Sequence, residues 1–184
     1  SDMALLFSEA NQNITTTASG PGGWGIALVN TASTGNSSIG SNGAQVLNVN
    51  NSSGIVVGGG SPGRSSIFAN SSQTITVQGT GQNLLLVSAA QGDVSVSTNG
   101  AQTIVAGQAG QSGGITLSGG TVDGANANIF GALKQSIQTS GELRVIGGTD
   151  SKSEDQRFYI DVALASGRPV TWAPLLHSPF DPEG

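Results

Sequence analysis

The sequence predicts an all-β chain wound as a parallel β-helix: a β-solenoid of about five three-stranded coils, right-handed, with a C-terminal cap or tail. Three observations predict it. Glutamine recurs at Gln12, Gln45, Gln73, Gln102 and Gln135, at spacings of 33, 28, 29 and 33 residues, and an aliphatic residue follows each of them two positions on. Each interval holds three short runs in which apolar residues alternate with polar ones. Glycine, asparagine, serine and aspartate lie between the runs, as turns require.

The first run of each unit opens on the glutamine: QNITTT, QVLNV, QTITV, QTIVA and QSIQT. The second runs are GIALVN, GIVVGG, NLLLVS, GITLSGG and ELRVIGG, and the third are SSIGS, SSIFA, DVSVS, ANIFG and RFYIDV. Three strands of this length are unstable as an isolated sheet. Stacked units are stable, because each strand pairs in parallel with its equivalent about 4.8 Å away. Five coils at that spacing make a rod roughly 24 Å long. The stretch ANANIFGALKQSIQ is the one that tempts a helical reading, but its alignment with neighbouring runs makes it strand.

Alignment of the runs predicts three inward stacks. The first holds Ile14, Leu47, Ile75, Ile104 and Ile137; the second Ile26, Ile55, Leu84, Ile115 and Leu143; the third Ile39, Ile67, Val96, Ile129 and Ile160. Alternation fails between Leu84 and Val87, so the register there is open. The competing architecture is a β-sandwich, which also uses many short strands but has no need of a 30-residue echo. The glutamines share the inward parity of the aliphatic residues and sit at a corner. Two readings of them are open: a ladder of amides hydrogen-bonded along the axis, or a corner residue that is merely tolerated.

The expected organisation is residues 1–10 as a tag or cap segment, 11–166 as the repeat domain and 167–184 as a proline-rich cap or tail. The last stretch, GRPVTWAPLLHSPFDPEG, carries four of the chain's 6 prolines and is expected to leave the ladder, because proline lacks the backbone donor. Its Trp172, Leu175, Leu176 and Phe180 suit a lid over the last coil. A docking segment or a linker is the other reading.

Charged residues are 9% of the 184-residue chain and the net charge is −5. Through Leu133 the sole basic residue is Arg64. This is no nucleic-acid footprint. With no cysteine there are no disulfides and no thiolate metal sites. No run reaches the roughly 18 apolar residues of a membrane span, and MALLFSEA is too short for a signal-peptide core with its flanks.

Units of the form QTI-x-V, G-x-ITL-x-GG and A-x-I-x-G resemble the repeats of filamentous-haemagglutinin-like proteins, large exported β-helical proteins of Gram-negative bacteria. The stretch AQTIVAGQAGQSGGITLSGGTVDGANANIFGALKQSIQTSGELRVIGG carries most of the likeness, which extends over Asn11 to Leu164. The units, near 30 residues, are long for that family, and its N-terminal secretion domain is not recognisable here. The resemblance implies an exported surface or fibre protein and transfers no catalytic residue.

Candidate chemistry is sparse. His177 is the single histidine, so it has no partner of its kind for a metal cluster. Asp93 and Asp123 are out of phase with one another. Asp150, Glu154, Asp155 and Asp161 are interleaved with Lys152 and Arg157 and read as a solvated loop. GGTVDGANA lacks the recurring calcium nonapeptide, and GGWG and VVGGGSPG lack the Lys-Ser/Thr of a phosphate loop. Asn13, Asn36, Asn50, Asn51 and Asn70 open N-x-S/T triplets, which arise readily in so Ser- and Asn-rich a chain. No catalytic, cofactor-binding or metal-binding residue is assigned. The expected function is a non-enzymatic structural or adhesive β-helix, extracellular or at the cell surface: a spacer, matrix or fibre component that meets a glycan, a cell surface or its own copies. The alternatives are a carbohydrate-binding or carbohydrate-active β-helix and a self-assembling filament subunit.

Overall fold

The structure is a computed structural model that describes residues 3–17, 23–30, 35–50, 53–59, 62–79, 81–108, 113–122, 125–146, 162–164 and 171–173. The described residues form seventeen strands and no helix. All strand pairs are parallel, in three sheets. Over the first fifteen strands the chain visits the sheets in rotation, so that every third strand returns to the same sheet one coil further on.

Coil one comprises β1 (Met3–Ser8), β2 (Gln12–Thr17) and β3 (Ile26–Asn30). Coil two comprises β4 (Asn36–Ser41), β5 (Gln45–Asn50) and β6 (Ile55–Gly59). Coil three adds β7 (Arg64–Ala69), β8 (Ser72–Gln78) and β9 (Gly81–Ala89). Coil four adds β10 (Val94–Thr98), β11 (Ala101–Ala106) and β12 (Gly113–Ser118), and coil five adds β13 (Ala127–Gly131), β14 (Lys134–Thr139) and β15 (Leu143–Ile146). Two short strands follow, β16 (Val162–Leu164) and β17 (Thr171–Ala173). We call the sheet of β1, β4, β7, β10 and β13 sheet A, that of the glutamine strands sheet B, and the third sheet C.

Register places the aliphatic residues as alternation requires. Ile14, Leu47, Ile75, Ile104 and Ile137 are successive partners in sheet B, as expected. Ile39, Ile67, Val96 and Ile129 do the same in sheet A. From Leu47 to Ile104 the sheet B stack has no solvent exposure at all. A second inward row lies in sheet C, where Leu28, Val57, Val87, Leu117 and Val145 are partners. The core is thus one narrow column whose layers are coils.

Four placements differ from the expectation. In the second stack, Leu85 and not Leu84 pairs with Ile55 and Ile115. The cause is an irregularity opposite β12: Gly81 faces Gly113 and Leu85 faces Ile115, so β9 carries extra residues and both leucines turn inward. Met3–Ser8, set apart from the repeat in the sequence, is the first strand of sheet A, with Leu6 opposite Ile39. Val162, expected in the third run of the last unit, pairs with Ile137 in sheet B, while Ile160 lies outside the described residues. Thr171–Ala173 continue sheet C, with Trp172 opposite Val145, although the tail was expected to leave the ladder. The reason is local: Pro169 and Pro174 flank these three residues, and each of the three retains its backbone donor.

Candidate functional site

The corner between sheets A and B is built from hydrogen bonds between coils. Gln45 Nε2 donates to Gln12 Oε1 at 2.8 Å, Gln73 to Gln45 at 2.9 Å, Gln102 to Gln73 at 2.7 Å and Gln135 to Gln102 at 2.5 Å. All five glutamines are buried. The ladder reading of the repeat is therefore the one the structure adopts. Burial makes each amide expensive to leave unpaired, and the neighbouring coil supplies the partner. Gln102 uses its second amide hydrogen on Val96 O at 3.1 Å. At the last coil Gln135 Oε1 is buried with no partner among the described residues.

A second ladder runs three residues earlier, on the exposed side of the same corner. Asn42 Nδ2 donates to Glu9 Oε2 at 2.8 Å, Asn70 to Asn42 Oδ1 at 2.9 Å and Asn99 to Asn70 Oδ1 at 3.0 Å. Ala132 occupies the next position, so the row stops there. Inside the turn, the hydroxyls of Ser8, Ser41 and Thr98 each accept from the backbone N–H two residues on. Short polar side chains fold the chain at this point in that way.

The residues weighed for chemistry fall into structural roles or outside the described segments. Asp93 accepts from the Asn126 backbone at 3.2 Å and lies 3.5 Å from Arg64 Nε. Arg64 in turn donates its backbone N–H to Asn36 Oδ1 at 3.2 Å. Asn36, Arg64, Asp93 and Asn126 thus form a polar row that links four coils along one border of sheet A. Of the N-x-S/T asparagines, Asn13, Asn36 and Asn70 are exposed, and the last two already use their amide oxygens on the next coil. Asn50 is half-buried at the end of β5. Asn51, Asp123, Asp150, Lys152, Glu154, Asp155, Arg157, Asp161 and His177 lie outside the described residues. So do Leu175, Leu176 and Phe180 of the tail. Among the described residues no three His, Cys, Asp or Glu side chains converge as metal ligands.

The outer face of sheet A holds what the sequence reading passed over. Phe68 and Phe130 follow the buried Ile67 and Ile129 and so point outward from β7 and β13, and Phe7 of β1 shares their face by register, while Leu6 beside it in the first coil is itself exposed. The same outward position is Gly40 on β4 and Ser97 on β10. Phe7 and Phe68 lie nearly parallel, at 21° with centroids 6.3 Å apart. They meet over Gly40: a Cβ there would stand 2.5 Å from Phe68 Cε1 and 3.1 Å from Phe7 Cδ2. Phe7 is 38% exposed and Phe130 46%. Beside this row Ser38 and Ser66 share a hydroxyl hydrogen bond of 3.0 Å. The signal was present in the sequence as an aliphatic-Phe pair six residues before Gln12, Gln73 and Gln135, in alternate units.

These features define a parallel β-solenoid repeat protein whose coils are tied by side-chain ladders and whose sheet A carries an aromatic row. Compared with protein families, curated proteins and solved structures, the chain matches none of them.

Proposed function

We propose that the chain is a non-enzymatic structural or adhesive β-solenoid, exported from a bacterial cell, that serves as a surface spacer, matrix or fibre component. The observation that carries this reading is the use of the corner: two rows of amides spend their hydrogen bonds on the next coil. Each of the five coils is thereby joined to its neighbour by strand pairing and by polar side chains as well. Such a column resists bending and shear, which is what a spacer or fibre unit needs. The likeness of Ala101–Gly148 to filamentous-haemagglutinin-like repeats supports the exported, surface-associated setting. The aromatic row of sheet A favours the adhesive form of the reading over a purely passive one.

Electron microscopy of the purified protein, together with incubation against acidic and neutral polysaccharides, tests the proposal. Uniform short rods and intact polysaccharide are expected. Breakdown of any of these polymers, lost on His177→Ala or Asp93→Asn, overturns it in favour of an enzyme.

A further inference from the structure

We infer that the outer face of sheet A is a binding strip for a neutral, extended, β-linked polysaccharide lying along the solenoid axis. The inference rests on the adhesive reading and supplies its partner class. Phe7, Phe68 and Phe130 occupy one register position on alternate strands of sheet A, so their row runs parallel to the axis. A phenyl ring offers a flat apolar surface with a negative face. The C–H face of a pyranose is the complementary surface, and its hydroxyls lie around the edge. The Ser38 and Ser66 hydroxyls stand beside the aromatic row, where those edges fall.

Spacing and charge narrow the class. Phe68 and Phe130 sit on alternate coils, and alternate strands are roughly 9.6 Å apart, whereas Phe7 leans toward Phe68, with ring centroids 6.3 Å apart, so that these two rings act as one platform. In an extended β-linked glycan successive sugars are turned over, so the same face returns every second unit, a comparable length. Phe7 and Phe68 lean together over Gly40 and form the continuous part of the strip, and Phe130 continues it beyond Ser97. The outward positions between the border rows carry no charge, and at the border Arg64 is opposed by Asp93. An anionic polymer finds no excess of positive charge here, whereas a neutral one meets a face that matches it.

Titration with cellohexaose, followed by calorimetry or NMR, tests the inference, with maltohexaose and polygalacturonate as comparators. Saturable binding of cellohexaose is expected, with both comparators weaker by about tenfold or more. Phe68→Ala and Phe130→Ala should each weaken binding by about tenfold, the scale of one aromatic contact. Gly40→Ala should weaken it as well, because the new methyl displaces both rings without touching the sugar. Melting of the Phe130→Ala protein should match the parent, since that ring is exposed. Three results each overturn the inference: no saturable binding of cellohexaose, equal binding of polygalacturonate, or binding indifferent to all three substitutions. Concentration-dependent self-association abolished by Phe68→Ala with Phe130→Ala also overturns it, by assigning the strip to a second copy of the chain. In each case intact rods without glycan breakdown leave the structural reading standing.

Discussion

Ile104 and Thr103 are neighbours with opposite fates. Ile104 is fully buried between Ile75 and Ile137, and Thr103 points out of sheet B. Ile104→Ala should destabilise the protein by about 2–5 kcal/mol, and Thr103→Ala by roughly 0.5 kcal/mol or less. Denaturant melts of the pair measure this, and equal small losses would contradict the register. Gln73→Ala is a sharper probe of the corner. It orphans the buried Gln45 Oε1, which costs about 1–3 kcal/mol, and takes one of the two acceptors of Gln102 Nε2, which keeps Val96 O. Gln73→Ala should therefore lower the unfolding midpoint clearly more than Asp93→Asn does. The Arg64–Asp93 pair is solvent-facing, with side chains 75% and 38% exposed, and such pairs contribute about 0–1 kcal/mol. Gly54 is a third kind of residue. Its φ is 107°, and a Cβ there would run into the Leu84 carbonyl. Gly54→Ala should be destabilising although it adds apolar surface, through backbone strain and a clash with rigid main chain.

At the scale of strands, the short edge elements are the informative ones. β17 covers part of the edge of β15, and an uncovered edge recruits other strands. Deletion of the chain after Gly167 removes β17. It should lower the melting temperature and promote association, seen by thermal melting and light scattering. Unchanged melting of a monodisperse truncated protein would show that β17 contributes nothing to the fold. Strand legibility in the sequence follows the same physics. The five glutamine strands of sheet B were readable because the glutamine marks their register in every coil, and β16, which no glutamine marks, was not. Sheet C was readable until β9, where three consecutive leucines erase the alternation that separates inside from outside. β1 was missed because MALLF is apolar without alternation, although Leu6 precedes Gln12 by the same six residues that separate Ile39 from Gln45. β17 was missed because two prolines near a segment were allowed to outweigh three proline-free residues inside it. The aromatic strip was missed because a residue on the outer face leaves no trace in a search for core periodicity.

For the whole molecule, charge has little to do with cohesion. The core column is apolar, both ladders are almost wholly neutral amide, and the two ion pairs of the described residues are solvent-facing. Thermal melts should therefore change little as the screening length falls from about 30 Å to about 3 Å between 0.01 M and 1 M salt. A large salt-dependent loss would mean that charged residues beyond the laddered coils hold the fold together. Coils contact mainly their neighbours, so stability should behave as a sum of coil and interface contributions. A cavity placed at Ile75, in the third coil, interrupts two interfaces and should cost more than the equivalent change at Ile14, which lies in the first coil and is only half-buried.

The amide rows at the corner have a direction. Every donor in both of them faces coil one, and every acceptor faces coil five. An amide turned round alone would set oxygen against oxygen on one side and hydrogen against hydrogen on the other. Each amide therefore takes its orientation from its neighbour, and a reversal has to be made by the whole line at once, as in a row of coupled compass needles. Aligned amides also polarise one another, so the line carries a partial positive pole at Gln12 and a partial negative pole at Gln135 Oε1. Running the length of the coils, it acts as an arrow: the rod is electrically different at its two ends, and whatever is mounted on it inherits a sense of up and down.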